Sequence, residues 1–176
     1  MDPLVIGHLV KKYGAITAVN DISFQVKKGE VLGLIGPDGA GKTTTMRTIV
    51  SLIKQTAGSI LFQGKEVKDN LRLVRSNIGY MPQRFSLYQD LTVEQNLRFF
   101  GDLFGVSKVQ LNERIERLYE FSRLKPFKHR TAGALSGGMK QKLALSCILV
   151  HEPEVLVLDE PTNHLDITSR EVIENA

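Results

Sequence analysis

The sequence predicts an α/β fold with a parallel sheet and a helical central subdomain. Three observations predict it. VLGLIG at 31–36 and VLVLD at 155–159 are short continuous apolar runs, as expected of strands buried on both faces. Helical patterns lie between the strand-like runs, and that alternation implies parallel strands with helices packed on the sheet. The central block, about 85 to 150, reads as helical.

In chain order, LVIGHLVKKYG and ITAVNDISFQV read as short strands, with Asn20-Asp21 and Lys28-Gly29 as turns. VLGLIG runs into a glycine-rich loop, followed by a helix through about Leu52. GSILFQG at 58–64 is a strand between glycines, and NIGYM at 77–81 is a strand stopped by Pro82. TVEQNLRFFGDLFG at 92–105 has Thr92 and Gln95 at capping-box spacing. LNERIERLYEFS at 111–122 places Leu111, Ile115 and Leu118 on one helical face. After VLVLD, a helix capped by Asp166 or Thr168 starts near Ile167.

A chain of 176 residues suits a single domain with a real core. Its 23 basic and 19 acidic side chains leave a net charge of +4, which suits an anionic ligand, a membrane surface or RNA without choosing among them. The one cysteine, Cys147, sits in an apolar run, a setting for a buried reduced thiol that suits the cytosol. The N-terminal stretch shows no secretory signal, and no run approaches the roughly 20 apolar residues of a membrane span. Any work at a membrane is therefore expected to go through a partner.

GPDGAGKTT comprises Gly36, Pro37, Asp38, Gly39, Ala40, Gly41, Lys42, Thr43 and Thr44. It fits G-x-x-x-x-G-K-[ST] between a predicted strand and a helix. The glycines let successive N–H groups face phosphate oxygens, and the helix start adds donors and a favourable dipole. Lys42 supplies a charge for the β- and γ-phosphates, and the Thr43 hydroxyl is placed to ligate Mg²⁺. Asp159 and Glu160 end a predicted strand, at the edge where ligands sit in open α/β sheets. Asp159 is expected to hold Mg²⁺ through water, and Glu160 to orient or deprotonate the attacking water. Strand-ending acids also serve as helix caps. Gln83 could reach the metal or the lytic water, although taken alone it reads as a surface loop residue.

LSGGM poses a separate question, because Ser136, Gly137 and Gly138 open a helix with poor helix formers. Taken alone, this reads as an ordinary Ser-capped helix. It is also suited to an anion, with free N–H groups and no side chains in the way. One nucleotide needs one cradle, so a second anion site points to a nucleotide bound by another copy or homologue.

Together, GPDGAGKT, the glutamine of YMPQ, LSGGM, VLVLDE and EPTNHLD resemble, in order, the motifs of the nucleotide-binding domain of ABC (ATP-binding cassette) ATPases, over essentially the whole chain. The resemblance implies a P-loop NTPase core with a parallel sheet, an N-terminal antiparallel β-subdomain and an inserted helical subdomain, which binds ATP and Mg²⁺ and hydrolyses ATP. It implies a head-to-tail dimer with a second such domain, each ATP lying between one partner's phosphate loop and the other's signature. It also implies that Tyr13 stacks on adenine, that Gln83 couples the metal site to a partner, and that Asp166 lies in a loop crossing the dimer interface. Read from the residues alone, Tyr13 is a half-buried strand aromatic. Met139 stands where the usual signature has glutamine, as in ABC-2 type exporters, whose cassettes drive a transmembrane permease from the cytoplasmic face of the membrane. That reading involves no nucleic acid. EPTNHLDI looks more like the ribosome-associated ABC-F factors, and a non-hydrolysing ATP-binding module is the third reading. The family's switch histidine follows the helix that starts near Ile167. His8, His129, His151 and His164 all precede that place, so a C-terminal truncation is expected.

Overall fold

The computed structural model describes residues 2–83 and 87–159. They fall into two compact units, one of Met1–Ile78 with Glu154–Asp159, the other containing Gly79–Pro153.

In the first unit, β1 (Leu4–Tyr13), β2 (Ile16–Val26), β3 (Ala57–Phe62) and β4 (Lys65–Glu66) form an antiparallel sheet in the order β2-β1-β3-β4. Leu4, Ile6 and Leu9 of β1 are buried, so the inward parity changes between Ile6 and Leu9. The change is made at His8, which adopts φ 50 and stays exposed. Its backbone N–H donates to Ser23 Oγ at 2.8 Å, and its Nδ1 meets Asp21 Oδ1 at 2.8 Å. Asp21 itself has φ 51. Asn20-Asp21 is therefore not a turn but an irregularity inside β2. The two roles demand the same chemistry, since Asn and Asp tolerate the left-handed region wherever it occurs. The chain reverses instead at Gly14-Ala15, and Lys28-Gly29 is a turn as expected.

The helices of this unit are α1 (Lys42–Ile49) and α2 (Leu71–Asn77). Ile49, Ile60, Phe62, Val67 and Val74 join β1 in one core, against which Val155 and Val157 pack from a later strand. Phe62 and Ile60 are fully buried, each contributing roughly 1.5–3 kcal/mol of apolar burial.

Residues 31–36 depart from expectation. Among the described residues this run belongs to no strand, and Val31 and Ile35 are 92 % and 100 % exposed. Apolar composition on both faces records a capacity for burial. A strand forms only where neighbouring strands supply ladder partners, and none pairs with this run among the described residues.

β5 (Ile78–Met81) and β6 (Val155–Leu158) occur where the apolar patterns place them. In the second unit, α3 (Val93–Leu103) carries the predicted capping box: Gln95 N donates to Thr92 Oγ1 at 3.1 Å, and Thr92 N donates to Gln95 Oε1 at 2.8 Å. α4 (Lys108–Ser122) buries Leu111, Ile115 and Leu118, the predicted face. α5 (Gly137–Leu149) buries a continuous block from Leu143 to Ile148 that includes Cys147, and burial pushes that thiol well above its usual range. Arg114 and Arg117 of α4 both pair with Glu152 at 2.8 Å, and His151 stacks on Phe104 with ring centroids 3.9 Å apart.

Candidate nucleotide site

The loop ahead of α1 is shaped by glycine. Gly39 and Gly41 have φ 80 and 89, in the left-handed region that favours glycine. At Gly41 space is also decisive, because a Cβ there would collide with the carbonyl of Ala18 on β2. Gly36 to Ala40 are exposed, so the loop's concave backbone is accessible. Lys42 folds back over it and donates to the carbonyls of Gly36 at 2.7 Å and Pro37 at 2.9 Å. Its ammonium thus sits across the loop it would share with a phosphate. α1 begins at Lys42 with Gly41 as its N-cap, and no side chain caps it. Free donors and the positive end of the dipole therefore face the loop.

Thr43, in the first turn of α1, donates its hydroxyl to Asp159 Oδ1 at 2.9 Å across 116 positions of sequence. Asp159 follows β6 and is 2 % exposed, although acids are seldom buried without a partner. The two residues expected to share a metal are thus in contact. Their oxygen-only donor set fits a hard cation such as Mg²⁺. Among the described residues no three His, Cys, Asp or Glu converge, so such an ion would draw its other ligands from water and phosphate.

Tyr13 ends β1 and is 48 % exposed, in keeping with the half-buried strand aromatic that its sequence alone suggests. Lys11 Nζ lies 4.7 Å from its ring centroid. Sequence reasoning missed Lys11, although the signal was present: residues i and i+2 of a strand share a face.

Ser136 caps α5, accepting from Met139 N at 3.4 Å. Among the described residues, an added Cβ at Gly137 or Gly138 would meet nothing within 4 Å, so packing against those residues does not require either glycine. Gln83 is exposed, just beyond β5. Ser136, Gly137, Gly138 and Gln83 all belong to the second unit, whereas Tyr13, residues 36–44 and Asp159 belong to the first. Glu160, Asp166 and the expected helix after Ile167 lie outside the described residues.

Residues 19–163 match the ABC transporter family. The chain belongs to that family. This ABC chain is 46 % identical over 164 residues to the probable multidrug ABC transporter ATP-binding protein YbhF of Escherichia coli (strain K12), covering 93 % of the chain and 28 % of the relative. It is 42 % identical over 163 residues to the Nod factor export ATP-binding protein I of Paraburkholderia xenovorans (strain LB400), covering 93 % of the chain and 54 % of the relative. The chain thus spans about a quarter to a half of these relatives' lengths. Among solved structures, an ATP-binding subunit of an ABC transporter matches with TM-score 0.88 and 31 % identity, over 98 % of this chain and 72 % of that one. The cbiO1 protein of Clostridium perfringens, part of the ABC transporter complex cbiONQ, matches with TM-score 0.84 and 27 % identity over 99 % and 71 %. The predicted α/β class is the fold of these ABC subunits. Among the described residues no helix is long and apolar enough to cross a membrane.

Proposed function

We propose that this chain binds MgATP and hydrolyses it to energise an ABC exporter. The observation that carries the reading is the accessible loop 36–44, with Lys42 over its carbonyls and Thr43 against buried Asp159. On binding, Lys42 exchanges two carbonyls for the β- and γ-phosphate oxygens, a charge-assisted and stronger pairing. Thr43 and Asp159 would hold Mg²⁺, Asp159 through water, and the bound ion would supply positive charge beside the transferred phosphoryl group. Glu160 orients the attacking water and takes its proton as the new P–O bond forms and the bond to the bridging oxygen breaks. Gln83 couples this site to a partner, and Tyr13 stacks on adenine.

In this reading the chain forms one cassette, with the inserted helical subdomain at about 85–150. Ser136, Gly137 and Gly138 contact the nucleotide of a second cassette bound head to tail. A transmembrane permease holds the pair at the cytoplasmic face of the membrane. The multidrug and Nod factor export names of the two relatives support an exporter over a ribosome-associated factor.

Titration of MgATP by calorimetry, beside phosphate release, tests the reading. Lys42→Ala should weaken binding at least about tenfold, as loss of a charged hydrogen bond implies. Glu160→Gln should bind as the parent does and lose turnover. Unchanged affinity in Lys42→Ala would sink the binding site, and unchanged turnover in Glu160→Gln would remove the base.

A further inference from the structure

We infer that Lys11 determines how well the site accepts a purine base, by covering one face of Tyr13 and leaving the other as a stacking platform. The inference rests on the reading of Tyr13 given above and adds a residue that neither the motifs nor the family resemblance names.

The geometry starts with the ammonium. Lys11 Nζ donates to the carbonyl of Lys54 at 2.8 Å and sits 4.7 Å from the Tyr13 centroid. The backbone on either side of that bond is tied by two more. Lys12 N donates to Thr56 Oγ1 at 2.9 Å, and Thr56 N donates to Val10 O at 2.8 Å. Residues 54–56 are therefore laced to residues 10–12, which keeps the Lys54 carbonyl within reach of the Lys11 ammonium over the ring. Tyr13 remains 48 % exposed, which leaves ring surface for a second planar group.

The platform also lies at a suitable distance. Tyr13 pairs with Ile16 at the hairpin end, and the Ala18 carbonyl, two residues along β2, abuts Gly41 of the phosphate loop. Two strand residues span on the order of 7 Å, the scale of the sugar that joins base to phosphate. A cation on one face of a phenol ring draws π-density towards itself. The opposite face then becomes a better partner for an electron-rich purine. Lys11 is thus a positioning and specificity residue that acts through Tyr13 and has no part in the chemical step.

The test uses the full chain, with Mg²⁺ and either ATP or inorganic tripolyphosphate, which has phosphates but no base. Lys11→Met should weaken ATP binding about threefold to tenfold, the range a cation–π contact covers, and leave tripolyphosphate within about twofold. Lys11→Gln keeps a donor for the Lys54 carbonyl without the charge and should behave like Lys11→Met. Lys11→Arg should restore ATP affinity. Parental ATP affinity in both neutral variants would overturn the inference. Equal losses for both ligands would also overturn it, because the charge would then act on phosphate. Tyr13→Ala separates the two levels. If it binds ATP as the parent does, the adenine reading itself fails. If it loses ATP affinity while the neutral Lys11 variants do not, only the role of Lys11 fails.

Discussion

Asn96 is wholly buried in α3, and each of its polar atoms has a partner. Nδ2 donates to the carbonyls of Tyr88 at 3.1 Å, Leu91 at 3.2 Å and Thr92 at 3.0 Å, while Oδ1 accepts from Tyr88 N at 3.0 Å. One amide therefore organises the turn that leads into the helix. Asn96→Leu keeps the size but leaves the Tyr88 N–H without its acceptor, while the three carbonyls keep main-chain donors, at a cost of about 1–3 kcal/mol. A lowered urea midpoint with an unchanged slope would show it. No sequence pattern revealed this residue, because its partners are main-chain carbonyls assembled only on folding. A pH dependence belongs to the same turn. The Arg98 hydrogen bond, helped by Lys128 and His129, holds the Glu94 carboxyl below its usual 4.5. A depressed carboxylate stabilises above its unfolded value and loses that contribution as pH falls through the folded one. The Arg98 pair is partly exposed and spaced i,i+4, so Glu94→Gln should cost only about 0.3–0.5 kcal/mol at pH 7. The gap between parent and variant should close below about pH 4.5. A constant gap in urea titrations at both pH values would contradict this.

Elements were legible where their information is local. The Thr92 box, the face of α4 and the Ser136 cap each require only residues within a few turns, and all three form as read. Residues 31–36 depend on distant ladder partners, and composition cannot report whether those are present. The parity change in β1 depends on three strands at once. Gly58 of β3 has φ 87, and a Cβ there would strike the carbonyls of His8 and Gly7. That glycine allows β3 to pass the irregularity at His8. Gly58→Ala should therefore cost at least about 2 kcal/mol, from left-handed strain plus a clash with main chain that cannot swing away. Gly29 separates the two terms, because it has φ 76 with nothing within 4 Å of its Cβ position. Gly29→Ala should cost only the strain, about 1 kcal/mol. Equal midpoints for the two variants in denaturant titrations would refute the packing role of Gly58.

At the scale of the whole molecule, the phosphate loop and the signature glycines belong to different compact units. The first half of the site was readable because a phosphate cradle uses a contiguous stretch, Gly36 to Thr44. The contact of Thr43 with Asp159 was inferable from motif order, whereas the ammonium over Tyr13 required coordinates. The second half, at Ser136, is proposed to act on a nucleotide outside the chain. Glycine at the start of α5 lowers helix stability by up to about 1 kcal/mol per residue, and the open space around Gly137 and Gly138 returns nothing for it among the described residues. Contact with the nucleotide of a second cassette would explain that cost. Gly137→Asp would then place a carboxylate against phosphate oxygens. Two like charges about 4 Å apart at an effective dielectric near 20 repel by about 4 kcal/mol, roughly a thousandfold in affinity. The variant should lose ATP-driven dimerisation by light scattering and keep the monomer's own MgATP affinity by calorimetry. If monomer binding were lost instead, the signature would serve the chain's own nucleotide, and the head-to-tail arrangement would have no support from this helix.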